Sequence, residues 1–593
     1  MDQQDLQQDP SRGAEAFPVP GATMLPIGET WAPGVHPISV SPRSKRLRWG
    51  IAGVIVVAVV VATAAGAFAL SGAAGSKSLT AGSAPKNSIA FLEVRTDLPG
   101  DQHARLADFM SHFPGFKDRA QFDNALDETL NKLTSEVSPD LRYSSAFKPW
   151  MEGEVSIAVA DTGSVTPAVL SSDVSYKLPA AVAIFALKDR PAAETWVTSE
   201  LSRNAIKTES MAYAGTTLYT TGAGVSQGAY AFTDQALLLG TVDGVKAALD
   251  TKTKGSLADD ANYQAAMKSL SGDNLARFYV DAKSYISNQL DSYNALIGSM
   301  FGPGSSPMPT LGVATTALPA WIAGSVRAES DRMVVDVAMP RPTDTGTGNH
   351  VSRLASVLPG STVGVYEMHS IGAQVSKQLD ALAAGQAGVA ADSIKSVKDA
   401  LAKIGGIDWL GDGVAVVTKD ASGYGGGLVV EAADVATATA KAATINNLVV
   451  LAGGSLNLTS RNETYKGIGI TIIGIPNGSD GKPVELAVAA KDNLLIAGYT
   501  DSFVKAVIDT TPGSSLSAGS DYSAVMAAAG ANNSASGYVN IPALEDQIGQ
   551  ALLTSQSSRW TLDYKPYFDH LGGIGYAVVD GNTVILRLVV MAK

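Results

Sequence analysis

The chain has 593 residues, 46% of them hydrophobic and 17% charged, with 44 Lys and Arg against 56 Asp and Glu and no cysteine. A net charge of −12 excludes a general basic face for DNA, RNA or anionic lipid, so no nucleic-acid partner is expected. Without thiols, neither disulfides nor thiolate zinc sites can support the fold, and its stability must come from packing.

Residues 1–42 carry one Arg against five acids, and prolines at 10, 18, 20, 26, 33, 37 and 42 interrupt any periodicity. They read as a disordered cytoplasmic tail. Residues 43–50 form a basic juxtamembrane segment with Arg43, Lys45, Arg46 and Arg48. The uncharged run 51–70 (IAGVIVVAVVVATAAGAFAL) follows. At a rise of about 1.5 Å per residue it spans roughly 30 Å, the hydrocarbon thickness of a bilayer, and reads as a transmembrane helix. The flanking cations place the N-terminus in the cytoplasm and the C-terminal part outside, as a single-pass signal-anchor in the plasma membrane. Ala67-Phe68-Ala69 has the form of a signal-peptidase site. The long leader and long apolar run exceed a secretory signal, whose apolar core is about 7–15 residues, and this favours an anchor; whether it is ever cleaved stays open. Residues 71–84 (SGAAGSKSLTAGSA) read as a flexible linker.

The rest of the chain repeats itself. Residues 245–280 align without a gap on 504–539, with 14 identities in 36 positions, among them Asp250 with Asp509, Tyr263 with Tyr522 and Tyr279 with Tyr538. The same separation of 259 matches Trp150 with Trp409, Val155 with Val414 and Asp161 with Asp420. The openings correspond as Pro85 with Pro359 and Glu93 with Glu367. This gives a first α+β repeat over 85–341 and a second over 350–593, divided in the turn-rich stretch 340–349.

Within the first copy, 89–94 reads as a strand, 102–110 and 121–133 have helical spacing, and 155–160 and 181–187 are strands. Residues 190–204 form a helix opened by Pro191. Strands near 211–220, 228–233 and 236–240 precede a helix over 243–251 with Asp243 as N-cap. A short helix near 263–270, a strand over 276–281 and a helix over 282–300 lead to a hairpin of 322–327 with 333–338. The second copy closes on the matching hairpin, 574–579 with 584–590, turning at Asp580-Gly581-Asn582. The fold class is α+β with mostly antiparallel sheets.

At the start of the first copy, Glu93, Arg95, the segment Asp97-Leu-Pro-Gly-Asp-Gln102 and Phe113-Pro-Gly-Phe116 resemble a bacterial envelope family, domain-of-unknown-function family thirty-three fifty-two, widespread in actinobacteria. The resemblance extends from about Asn87 to the end. It implies a membrane-tethered extracytoplasmic protein and transfers no catalytic residue. The two quoted segments occur only in the first copy.

Motifs for chemistry are weak. The six histidines, His36, His103, His112, His350, His369 and His570, show no metal-ligand spacing and read as surface or incidental residues. Ser145-Ala-Phe-Lys148 matches the S-x-x-K of serine acyl enzymes, with Ser292-Tyr-Asn294 as a partner motif, but no K-T-G follows. Gly224-Val-Ser226-Gln-Gly228 matches a nucleophile elbow flanked by strands instead of the required strand and helix. Gly423–Gly427 lacks a phosphate-loop lysine and reads as a turn or thinly packed strand, and 477–481 as a hairpin turn. Glu93 with Asp97, and Asp259 with Asp260, are carboxylate pairs without evident burial. Trp150 and Trp409 read as packing aromatics. No catalytic, cofactor-binding or metal-ligating residues and no cofactor are therefore assigned. The favoured function is a binding or scaffolding role in the cell envelope, whose protein, lipid or glycan partner the sequence leaves open; the alternatives are a membrane-tethered hydrolase and a carrier of apolar envelope molecules.

Overall fold

The computed structural model describes residues 78–593 apart from 99, 162–178, 223–226, 271, 287–317, 342–347, 386–394, 400–401, 403–405, 422, 457, 477–483 and 546–564. The tail, the run 51–70 and the first part of the linker lie outside the described residues, as do Ser226, Ser292 and the turn at 477–481. Among the described helices none is long and apolar enough to cross a membrane.

The first copy supplies β1 (Ser88–Arg95), β2 (Met151–Ala160), β3 (Ala180–Leu187), β4 (Thr208–Tyr213), β5 (Thr216–Thr221), β6 (Gly228–Phe232), β7 (Ala236–Thr241), β8 (Ala276–Val280), β9 (Ile322–Glu329) and β10 (Arg332–Pro340). The second supplies β11 (His350–Val351), β12 (Thr362–Met368), β13 (Leu410–Asp420), β14 (Gly423–Ala432), β15 (Thr459–Tyr465), β16 (Ile468–Ile475), β17 (Val484–Lys491), β18 (Leu494–Gly498), β19 (Asn532–Asn533), β20 (Ala535–Asn540), β21 (Leu571–Val579) and β22 (Thr583–Ala592). Apart from the small β11–β19 pair, these strands make one 20-stranded sheet. Its hydrogen-bonded order runs β4-β5-β6-β7-β3-β2-β1-β8-β9-β10 and then β22-β21-β20-β12-β13-β14-β18-β17-β16-β15, every pairing antiparallel.

The second half retraces the first in reverse. The last strand of each copy pairs with the last strand of the other, from Arg332 opposite Met591 to Pro340 opposite Thr583, the relation that a twofold axis would impose. Each copy thereby covers one exposed sheet edge of the other. The duplication reaches down to single contacts. An isolated bridge joins Pro85 to Ser256 and, equivalently, Pro359 to Ser515. The Leu257 N–H donates to Ala84 O, and Leu516 N–H to Leu358 O, both at 2.9 Å.

Helices pack on both faces. On one, Phe91, Val182, Ile184 and Leu238 meet Val245, Leu249 and Tyr263 from the helices Val242–Leu249 and Ala261–Ser269. The second copy repeats this with Val414, Val429 and Ile496 under Phe503, Val504, Val507 and Val525. On the other face, the first copy closes with Phe147, Trp150, Phe185 and Trp196, whose rings lie 5.2–6.2 Å apart. The second copy there has Ile473, Val488 and Leu495 beneath Trp409, Ala442 and Ile445.

Between the copies, Leu106, Phe109, Phe113 and Met333 share a core with Leu571, Val590 and Ala592. Phe113 also stacks near Tyr567 at 6.4 Å. Gln102 reaches the ladder of β9, donating to Ala328 O and accepting from Ala328 N–H. The segments Asp97–Gln102 and Phe113–Phe116 thus build and flank the junction with the second copy, which explains why only one copy needs them.

Several local readings change. The stretch 211–220 is a hairpin of β4 and β5, turning at Ala214 and Gly215, both at positive φ (46° and 77°). Thr241, not Asp243, caps the next helix by accepting the Gly244 N–H at 3.1 Å. The linker read over 71–84 is folded from Ser78 onward: Ala81 and Ala84 are buried and Thr80 has no exposed surface. Of the helix read over 282–300, only 282–286 lie within the described residues, and they are helical.

Candidate functional site

Pairing registers align the two copies independently of sequence identity. Ser88 faces Ala160 as Thr362 faces Thr418, and a register shift follows in each case. Arg95 then faces Glu154, which places His369 at the Arg95 position, Asp412 at the Glu154 position and Glu367 at that of Glu93. Arg277 and Ser536, opposite Glu93 and Glu367, also correspond. Strand β13 is therefore one residue out of step with the ungapped sequence match of Val155 to Val414. The slip hid this correspondence.

In the first copy these positions hold an ion network. Arg277 Nη2 lies 2.5 Å from Glu93 Oε1, and its Nε donates to the same oxygen at 3.2 Å. Arg95 bridges Asp97, at 2.6 Å and 2.9 Å, and Glu154, at 3.0 Å. Glu154, with no exposed surface, also accepts Ser78 Oγ, the Leu79 and Thr80 N–H groups and Thr80 Oγ1 at 2.7–3.0 Å. It clamps Ser78, Leu79 and Thr80, in the segment read from the sequence as linker, to the sheet. Burial pushes the Glu93 carboxyl above its ordinary range, against the opposing effect of Arg277.

A bulge aims Glu154. Gly153 has φ +94°, its carbonyl accepts the Thr96 N–H at 2.6 Å, and an added Cβ would lie 2.5 Å from Asp97 Cβ. Gly153→Ala is expected to destabilise the full chain by about 1–3 kcal/mol and to speed amide exchange over 78–84. Denaturant unfolding with hydrogen-exchange mass spectrometry checks both; unchanged exchange at 78–84 would separate the bulge from the clamp.

In the second copy both arginines are gone. His369 has no exposed surface, and its Nε2 lies 3.4 Å from Glu367 Oε1 without an aligned hydrogen bond. Neither ring nitrogen of His369 makes a hydrogen bond. The His350 ring stacks on it at 3.8 Å and 17°. His350 Nδ1 sits 3.2 Å from Val351 O, and Nε2 sits 3.3 Å from Asp412 Oδ1. That carboxylate also accepts the Ser370 N–H at 3.0 Å, while the largely exposed Arg353 spans Asp412 (3.4 Å) and Glu431 (2.9 Å). Burial opposes protonation of His369, but Glu367 and Asp412 outweigh it and raise its pKa. Of the two readings given to the histidines, surface or incidental, burial removes the first for His369, and His350, His369 and Asp412 bring one ligand atom each within 4.8 Å of the others.

The other singled-out residues have structural surroundings. Ser145 Oγ contacts Arg142 O at 3.5 Å, while Lys148 pairs with Asp127 at 2.6 Å. Asp259 accepts the Ser256 N–H and hydroxyl, and Asp260 caps Tyr263 N–H, as turn and helix caps do. Gly423–Gly427 lies in β14, a strand as one of its two readings had it. Strand β6 follows the G-x-S-x-G segment, and no helix does. Trp150 is buried and donates to Ala146 O, whereas Trp409 is partly buried with Lys441 over its ring at 5.0 Å. In an open cleft of about 700 Å³ beside Tyr213, Asp250 and Lys254, Tyr213 and Lys254 are both paired with Asp250.

No curated protein and no solved structure matches the chain. A family described as "Protein of unknown function (DUF3352)" matches residues 51–456, from the apolar run through the whole first repeat and into the second. That match covers more than half of the sequence, and the chain belongs to this family.

Proposed function

We propose that the protein is a membrane-tethered, extracytoplasmic docking platform of the cell envelope, anchored by residues 51–70, whose second repeat receives a protein partner on an open sheet face. The observation that carries this reading is a difference between the copies. Tyr366, Ala415 and Leu428 lie side by side on β12, β13 and β14, with Val417 two residues along on the same face. Tyr366 is 49% exposed, Leu428 53% and Val417 45%. The equivalent row of the first copy, Leu92, Ile157 and Ala183, belongs to the face roofed by Phe147, Trp150 and Trp196, and Ala183 is buried. Among the described residues, an aromatic and aliphatic strip is exposed in one repeat and roofed in the other, which matches the apolar core of a protein interface.

A photo-crosslinking residue at Leu428 or Tyr366, in the full chain in intact cells, should give one adduct of discrete mass. The same residue at Met211, exposed on the edge strand β4, should not. No adduct, or the same products from all three positions, would sink the docking reading. Protease added outside intact cells should remove both repeats; full protection would sink the topology.

A further inference from the structure

We propose that the second repeat holds a divalent transition-metal ion of the zinc class, ligated by His350, His369 and Asp412, with Glu367 orienting His369 from behind. The first repeat is the internal control. Its two buried carboxylates, Glu93 and Glu154, are neutralised by Arg277 and Arg95. The second keeps both acids, as Glu367 and Asp412, each 2% exposed, but replaces the arginines by Ser536 and His369. Arg353, 65% exposed and shared with Glu431, is the arginine left near them. Two buried carboxylates thus face imidazoles where the first repeat has guanidinium groups, and a bound cation would supply the fixed charge that the arginines supply there.

Lone pairs say what kind. A carbonyl only accepts, so His350 Nδ1 must carry the hydrogen facing Val351 O, and in the neutral ring Nε2 turns a lone pair toward Asp412 Oδ1. Their separation of 3.3 Å equals the span of two ligands on one tetrahedral zinc with bonds of about 2.0–2.1 Å. One ion between these atoms would also take a ligand atom from the buried His369 ring, whose nitrogens make no aligned hydrogen bond. Glu367, beside His369 Nε2, stands where a carboxylate fixes a ligating imidazole. Two imidazoles and a carboxylate suit zinc and its neighbours more than calcium or magnesium.

The test uses the full chain, extracted in detergent, stripped with chelator and titrated with Zn²⁺ alone. Wild type should retain one equivalent through gel filtration, and its unfolding midpoint should rise with free Zn²⁺. His350→Ala, at a half-buried position that should fold, is expected to weaken binding by roughly a hundredfold. His369→Arg, which restores the residue of the first repeat, should abolish retention while keeping a cooperative transition. His103→Ala, at an exposed His–Asp pair, should change nothing. Retention that survives His350→Ala and His369→Arg, or a wild type that retains no zinc and shows no midpoint shift, overturns the proposal. The docking reading does not depend on this result, since its crosslinks are scored on the open sheet face.

Discussion

Arg277→Ala is expected to destabilise the full chain by about 3–5 kcal/mol, because it strands a buried carboxylate whose attraction to the guanidinium had offset its desolvation. Glu93 is 1% exposed, its Oε1 takes both contacts from Arg277, and its Oε2 has no hydrogen bond. The loss should depend on pH with a defined sign. Glu93 is already raised above the ordinary carboxyl range by burial, and loss of Arg277 removes the main effect holding it down. A carboxyl raised in the folded state costs stability above its folded pKa and nothing below its unfolded one. The difference between variant and wild type should therefore be greatest at neutral pH and shrink as the pH falls through the raised Glu93 range. Denaturant unfolding of both proteins at stepped pH reads this directly. A difference that stays constant with pH would mean that Glu93 is not the group left stranded.

The equivalent change in the second copy has already been made by the sequence, which carries Ser536 opposite Glu367. That contrast was only half legible beforehand. The helical and strand periodicities gave most elements of the first copy within a few residues, since amphipathic spacing reports which face is buried. The match of Tyr263 to Tyr522 and Tyr279 to Tyr538 gave the duplication, because both tyrosine pairs pack edge to face in equivalent cores, at 5.5 Å and 5.3 Å. The polar clusters stayed hidden for a geometric reason. Glu154 and Asp412 sit at register shifts, where the ladder slips by one and an ungapped alignment pairs each with the wrong residue. His350 and His369 lack the short i, i+4 spacing of a helical ligand motif, and they meet by stacking beside the pairing of β11 with β19. A signal was present in Glu93 and Glu367: a shared acid with a replaced partner, Arg277 against Ser536, marks a change of charge inside a common core.

The junction between the copies was likewise invisible to periodicity, since strand edges carry no pattern that names their partner. Residues unique to the first copy did mark it. Leu98 and Gly100 turn the chain at positive φ so that Gln102 can clamp β9, and Phe113 brings the copy's own core to Tyr567 and Leu571. A segment present in one copy of a duplication has work that only one copy can do, and here it lies at the contact of the two.

Asp336→Ala should uncouple that contact, with an expected loss of about 3–5 kcal/mol for a buried acid removed from its arginines. Asp336 stands opposite Arg587 in the β10–β22 ladder, accepts its Nε at 2.7 Å and Nη2 at 3.2 Å, and takes Arg327 Nη1 at 2.5 Å from β9. Arg327 is itself buried, so among the described residues the substitution leaves its guanidinium the more distant Glu329, at 3.5 Å, as ion-pair partner. Arg587→Ala is the comparator. It removes a side chain 30% exposed and leaves Asp336 paired with Arg327, so its cost should stay near about 1 kcal/mol, as for a partly exposed ion pair. Hydrogen exchange resolves the mechanism beyond the energy. If the seam makes one cooperative unit of two repeats, Asp336→Ala should lower protection in β10 and β22 first and let the outer strands β4 to β7 and β15 to β18 exchange on separate schedules. Equal losses from the two substitutions, or protection that falls evenly through all strands, would show that the charged centre of the seam does not hold the repeats together and that apolar packing around Phe113 and Leu571 does.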